Sequence, residues 1–300
     1  MSTDPRDRLQ AHAPDGPIAM LRWLDATGVG QLVEHATGLE PARATAALEA
    51  AGAHSDWIAR LAADLRRLHE GAPLGYVTDN VTFFGRRMRC DDRALLIRPY
   101  TEAIVERVLE EWHGRDPRVV ELGCGAAAMI VTLALDLGGG SFVGTEIDER
   151  ALELAAENAQ AFGAPVELRL ADVFDGLTGR FDVIVANLPY EDPARPVPEA
   201  AFEPGVALYD MTGEWLGINR RLLAEVPDWL SARGRLYVEL PDDPDLRASF
   251  AGEPIRLADG EVIGRVMTSA QAAATARRLA SLQRPAAAFD GGDELPARLS

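Results

Sequence analysis

Arg118-Val119-Val120-Glu121-Leu122-Gly123-Cys124-Gly125 is an apolar run that ends in a glycine loop. A short apolar run stopped by glycine reads as a buried strand. Glycine at 123 and 125 permits a tight turn and leaves no side chain between backbone and ligand. Outward from this stretch the chain alternates. Helix is expected over Ala126–Leu137, strand over Phe142–Glu146 and helix over Glu149–Phe162. Strands follow over Val166–Leu170 and Phe181–Ala186. A helix from Glu214 to Leu230, interrupted by Pro227, leads to a strand over Arg235–Leu240. Such alternation means a parallel sheet flanked by helices, an α/β, Rossmann-like fold. Ile255–Leu257 and Val262–Met267 read as an antiparallel edge.

Upstream the pattern differs. From residue 17 to about 70, Ile18, Leu21, Leu24, Ile58, Leu61, Leu65 and Leu68 recur at helical spacing. They predict a small helical N-terminal domain over residues 1–72. Tyr76-Val77-Thr78 and Val81-Thr82-Phe83-Phe84-Gly85 read as short strands around an Asp79-Asn80 turn, a β-hairpin linker over 73–97. Thr101 is placed to cap a helix carrying Ile104, Val105, Val108 and Leu109. The sheet domain is expected over 98–283, with a mobile, Pro- and Ala-rich tail over 284–300.

The chain has 300 residues, 47% of them hydrophobic, and a formal net charge of -17. That charge disfavours non-specific nucleic-acid or anionic-membrane binding and suits a basic or cationic partner. No apolar run is long enough to span a bilayer, and the charged N-terminus lacks a signal-peptide core. Two cysteines, Cys90 and Cys124, make no disulfide framework, so a cytoplasmic location is expected. The five histidines show no metal-ligand spacing with them. Nothing in the sequence specifies an oligomeric state.

Ligands of open parallel sheets bind beyond the carboxyl ends of the strands. Gly123, Cys124 and Gly125 follow the first strand there. Glu146 ends the second, where a carboxylate accepts hydrogen bonds from ribose hydroxyls. Ile147 adjoins it. Asp172 and Val173 follow the third strand, an acid and an apolar neighbour suited to an adenine amine and ring. This pattern also meets a loosened dinucleotide motif. Glu121 favours S-adenosylmethionine (SAM), because it can engage the ammonium of a methionine. Asp148 reads as a helix cap.

After the fourth strand comes Asn187-Leu188-Pro189-Tyr190. An amide or guanidine nitrogen has its lone pair tied up in conjugation. The Asn187 carbonyl and the Leu188 backbone carbonyl, held by Pro189, can grip both hydrogens of an NH2 group. Tyr190 can stack on the planar group. Together with the glycine loop, this predicts a SAM-dependent N-methyltransferase with Asn187, Pro189 and Tyr190 at its catalytic centre. Asn187 also adjoins the cofactor.

The order of segments resembles the HemK-type protein-glutamine N5-methyltransferases, with class I SAM-binding domains. The resemblance covers residues 73 to 240. It rests on Pro73-Leu74-Gly75-Tyr76, Arg98-Pro99-Tyr100-Thr101-Glu102, the glycine loop, Asn187-Leu188-Pro189-Tyr190 and Phe202-Glu203-Pro204-Gly205-Val206-Ala207-Leu208. It implies a helical substrate-recognition domain, a hairpin linker and a glutamine acceptor in a peptide release factor. It also implies that Arg98, Pro99 and Thr101 line the site. The family usually has Pro where this chain has Leu188, and Glu where it has Tyr100.

The departures surround the acceptor. One alternative is N-methylation of a small molecule such as the guanidine of arginine, with Glu191, Asp192, Glu203, Glu214 and Glu239 as candidate partners. Adenine methylation in RNA fits Leu188 and is opposed by the net charge. A non-catalytic SAM-binding scaffold is the remaining reading.

Overall fold

The computed structural model describes residue 34 and residues 57–192, 201–211, 215–241 and 243–281. The chain divides into two compact units, Met1–Val81 and Thr82–Ser300. In the first, the described helices are α1 (Trp57–His69) and α2 (Leu74–Val77). Arg67 donates to the Tyr76 carbonyl at 2.9 Å. Where a strand was expected at Tyr76-Val77-Thr78, Tyr76 and Val77 end α2, with Pro73 as its N-cap and Thr78 as its C-cap. The hairpin forms one step later, between β1 (Asn80–Phe83) and β2 (Arg86–Arg89). Its turn is Phe84-Gly85, both at positive φ, the geometry that matches strand twist.

A 3-10 turn, Pro99–Thr101, opens α3 (Glu102–Trp112). Thr101 does not cap by its side chain; its hydroxyl donates to the Arg98 carbonyl at 2.8 Å. There follow β3 (Arg118–Leu122), α4 (Ala128–Asp136), β4 (Ser141–Glu146), α5 (Glu149–Phe162), β5 (Val166–Leu170) and β6 (Phe181–Ala186). Asp148 caps α5, accepting from the Arg150 amide at 2.8 Å, as expected. Then come the short α6 (Gly205–Leu208), α7 (Gly217–Trp229) and β7 (Leu230–Glu239). Pro227 does not break α7, which ends two residues later. Arg180 donates to the carbonyls of Pro227 and Leu230 at 3.0 and 2.8 Å, covering acceptors left open at that end. β7 starts five residues earlier than its sequence pattern implies. Glu214 and the tail beyond residue 281 lie outside the described residues.

The last elements are α8 (Pro244–Ser249), β8 (Glu253–Arg256), β9 (Val262–Met267) and α9 (Ser269–Ser281). The sequence reading lacked α9. Its signal was present: Ala272, Thr275 and Leu279 are buried at helical spacing. Thr268 and Gln271 form a reciprocal capping box, with the Thr268 amide donating to Gln271 Oε1 at 2.9 Å.

The seven strands run β5-β4-β3-β6-β7-β9-β8, parallel from β5 to β7 and antiparallel through β9 and β8. From β3 the chain first proceeds through β4 to β5, then returns to β6 on the other side. The carboxyl ends of β3 and β6 thus flank the point where the connections part. One apolar layer, including Leu122, Ile184, Ala186, Leu222, Val226 and Val238, packs between the sheet and α7. Trp229 closes it by stacking on Phe174, ring centroids 4.9 Å apart.

Candidate active site

Register decides the site. Leu122 pairs with Thr145 on one side and Ala186 on the other, and Ala186 pairs with Val238. The next residues, Glu146, Gly123, Asn187 and Glu239, therefore stand level at the ends of four adjacent strands. Side chains far apart in sequence meet there because parallel strands end together.

A cavity of about 310 Å³ opens at this edge. Glu121, Gly123, Cys124, Gly125, Glu146, Ile147, Asp172, Val173 and Asn187 all line it, with Arg98, Thr101, Leu188 and Pro189. Tyr190, Glu191 and Glu203 are not in the lining. Gly123, at φ +64°, lies so close to the Asn187 turn that a Cβ there would sit 2.8 Å from Leu188 Cδ2. The glycine loop and the Asn187 turn are one packed unit.

Each loop is held. Asn158, fully buried on α5, donates to the Ala126 carbonyl at 2.9 Å and to the Arg89 carbonyl at 3.0 Å. It ties the glycine loop to β2. Glu146 accepts from the Gly125 amide at 2.8 Å through one oxygen and from the Ile147 amide at 2.8 Å through the other. Burial raises its pKa, against the pull of the Asp148, Gly125 and Ile147 amides. Glu121 is buried and accepts from the Ile130 amide at 2.8 Å. Burial pushes its carboxyl up to about 8, with that amide opposing and Glu146 reinforcing the shift. Burial likewise keeps the Cys124 thiol protonated.

The Asn187 turn is pinned from α7 and its approach. Asn219 donates to the Pro189 carbonyl at 2.7 Å, and Trp215 to the Tyr190 carbonyl at 2.9 Å. The Tyr190 hydroxyl donates to Glu239 at 2.9 Å. Arg98 holds both oxygens of Glu203 at 2.8 and 2.9 Å, and the Glu203 side chain is fully buried. That ion pair, made by one guanidinium nitrogen, joins the segment before α3 to the one before α6. Asp172 is bound by Arg221 at 2.6 Å. The sequence reading missed Asn158, Asn219 and Arg221. For Arg221 the only local signal was its Glu225 neighbour one turn away.

Residues 113–277 match the family model described as a methyltransferase domain. Similar curated proteins include the release factor glutamine methyltransferase of Deinococcus radiodurans, 35% identical over 65% of this chain and 70% of that one. The chain belongs to this methyltransferase family. The protein of the same name from Cereibacter sphaeroides is 34% identical over 65% of this chain and 74% of the other. That of Lactococcus lactis is 36% identical over 42% of this chain and 46% of the other, so the match spans about half of that relative.

S-adenosylmethionine is the cofactor. The chemistry of the cavity fits it. Glu121, Glu146 and Asp172 follow one another along the ends of β3, β4 and β5 as three acceptors, and the molecule offers an ammonium, a ribose diol and an adenine amine as donors. Ile147, more than half exposed, and Val173 add apolar surface for a ring. No described helix is long and apolar enough to cross a membrane.

The raised Glu121 pKa has a consequence for stability. The folded chain binds a proton there between the ordinary carboxyl value of 4.5 and about 8. Its stabilising contribution is complete below the lower value and fades as pH rises through the upper one. Cofactor-free Glu121→Gln is expected to match the wild type in acid and to melt higher above pH ~8, by on the order of 5 °C. Differential scanning calorimetry across pH checks this; parallel curves would refute the buried-proton account.

Proposed function

We propose that this SAM-dependent N-methyltransferase methylates the side-chain amide of a glutamine in a protein, as the names of its relatives describe for release factors. The observation that carries the reading is Asn187 standing level with Gly123 in the wall of the cofactor cavity. An acceptor gripped by Asn187 is then held beside the cofactor.

When bound, SAM supplies an electrophilic methyl group on a sulfonium. Glu121 receives the ammonium, Glu146 the ribose hydroxyls and Asp172 the adenine amine, while Val173 and Ile147 flank the ring. The Asn187 carbonyl and the Leu188 backbone carbonyl accept the two N–H bonds of the acceptor. That grip orients the nitrogen and enriches it electronically. Holding reacting groups in line is worth several kcal/mol in favourable cases. Methylation gives an N-protonated amide, which is acidic enough to lose its proton to water without a strong base. Pro189 and Tyr190 fix the turn, and Arg98 with Thr101 lines the acceptor side. The segment over residues 1–72, expected from its sequence to be helical, is the part proposed to recognise the acceptor protein.

Glu203 was a candidate partner for a guanidinium substrate. Its two oxygens are taken by Arg98, which weakens the free-arginine alternative. The test is transfer from labelled SAM to a release factor, to free arginine and to ribosomal RNA. Label is expected on a glutamine of the release factor. Label on arginine alone would remove the protein-amide reading.

A further inference from the structure

Glu239 is nearly fully buried, at 3% exposure, at the end of β7. The β6–β7 register carries it level with Asn187, on the neighbouring strand. Oε1 accepts the Tyr190 hydroxyl at 2.9 Å, whereas Oε2 is buried without a hydrogen bond of ordinary geometry. A buried carboxylate with one oxygen unmatched is costly unless something nearby uses it. The cavity wall includes Asn187 and excludes Glu239. The carboxylate thus adjoins Asn187 without lining the cavity.

An ionised carboxylate only accepts hydrogen bonds, whereas a carboxamide donates at one end and accepts at the other. Whatever pairs with Asn187 from outside the cavity decides which end faces the acceptor. We infer that Glu239 is a positioning residue: its carboxylate draws the Asn187 NH2 group toward itself and so presents the Asn187 carbonyl to the acceptor nitrogen. This rests on the acceptor-gripping role proposed for Asn187. Without such a device both orientations of the carboxamide have similar shape. The flipped one would set NH2 against NH2.

The surroundings agree. Burial raises the Glu239 carboxyl to about 7, and Tyr190, Arg98, Tyr100 and Asn187 each act to lower it. A lowering by Asn187 means that it donates to the ionised form. The groups facing Glu239 are Arg98 and Tyr100 from the segment before α3, and Asn187 and Tyr190 after β6. Gly264 is its partner on β9 and adds no charge. Arg98 is itself engaged by Glu203. Protonation makes Glu239 a donor as well, and the hold on Asn187 is lost as pH falls through about 7.

The experiment compares the full-length wild type with Glu239→Gln, from pH ~5.5 to pH ~8.5. With a release factor as acceptor and SAM saturating, wild-type kcat should fall on the acid side. The variant should be about 10-fold or more slower and flat over that limb, with SAM affinity unchanged. A second readout needs no acceptor. The Asn187 side-chain amide signal in proton–nitrogen NMR spectra, identified by its loss in Asn187→Ala, should titrate in the wild type and not in Glu239→Gln. The remaining signals of the variant report that it is folded. An Asn187 signal indifferent to both pH and the substitution would overturn the inference. A titrating Asn187 signal in a protein that ignores the release factor would support the positioning role and count against the glutamine acceptor.

Discussion

Asn187→Ala is expected to lower kcat on the order of 10²–10³-fold, with SAM affinity little changed. The substitution removes one of two carbonyls proposed to grip the acceptor NH2. The backbone carbonyl of Leu188 remains, because the turn is held by Asn219 on α7 and by Trp215 just before it, which bond to the backbone of Pro189 and Tyr190. The loss therefore falls on orientation of the nitrogen, not on folding of the turn. Glu121, Glu146 and Asp172, the proposed cofactor acceptors, are untouched. Single-turnover kinetics with labelled SAM, beside calorimetric SAM binding, separate the two effects. Unchanged turnover would reject the role given to Asn187.

Glu146→Ala should show the opposite split. Its carboxylate holds the Gly125, Ile147 and Asp148 amides at 2.8, 2.8 and 3.1 Å. It also lines the cavity where a ribose is proposed to sit. Hydrogen bonds to charged groups contribute about 1.5–3 kcal/mol each. Losing the ribose contacts and loosening the glycine loop should raise the SAM Kd on the order of 10²-fold. At saturating SAM, kcat should recover much of its wild-type value, because the acceptor turn has its own supports. Titration calorimetry decides it: an unaltered Kd would end the ribose assignment.

The two outcomes depend on one arrangement, in which cofactor and acceptor walls are built on adjoining strand ends. Gly123 and Leu188 adjoin, so that a Cβ at 123 would lie 2.8 Å from Leu188 Cδ2, yet each wall has its own supports. This also explains the glycine at 123 more fully than loop flexibility does. It is required by its left-handed backbone and by the neighbour that a side chain would strike.

Much of the fold is legible locally. The boundaries of β3, α5, β5 and β6 follow directly from apolar runs and a cap, as with Asp148 before α5. Errors arose where tertiary contacts outweighed a short pattern. Tyr76-Val77-Thr78 has strand-forming residues, yet Leu74–Val77 is a helical turn whose Tyr76 carbonyl accepts from Arg67. Pro227 stays in α7 because its missing amide falls in the last turn, where Arg180 covers the carbonyls. For α9, the sequence reading lacked an alanine-rich helix whose capping box is a local signal.

By itself the sequence determined the strand–helix alternation and the strand-end positions of Gly123, Glu146, Asp172 and Asn187. Those properties depend on residue type and on periods of a few residues. Only the tertiary structure decided which groups face one another. Arg98 meets Glu203 across 105 residues, and Tyr190 meets Glu239 across 49, as Arg221 meets Asp172. The physical reason is strand order: parallel strands remote in sequence end side by side, and no local pattern carries that information.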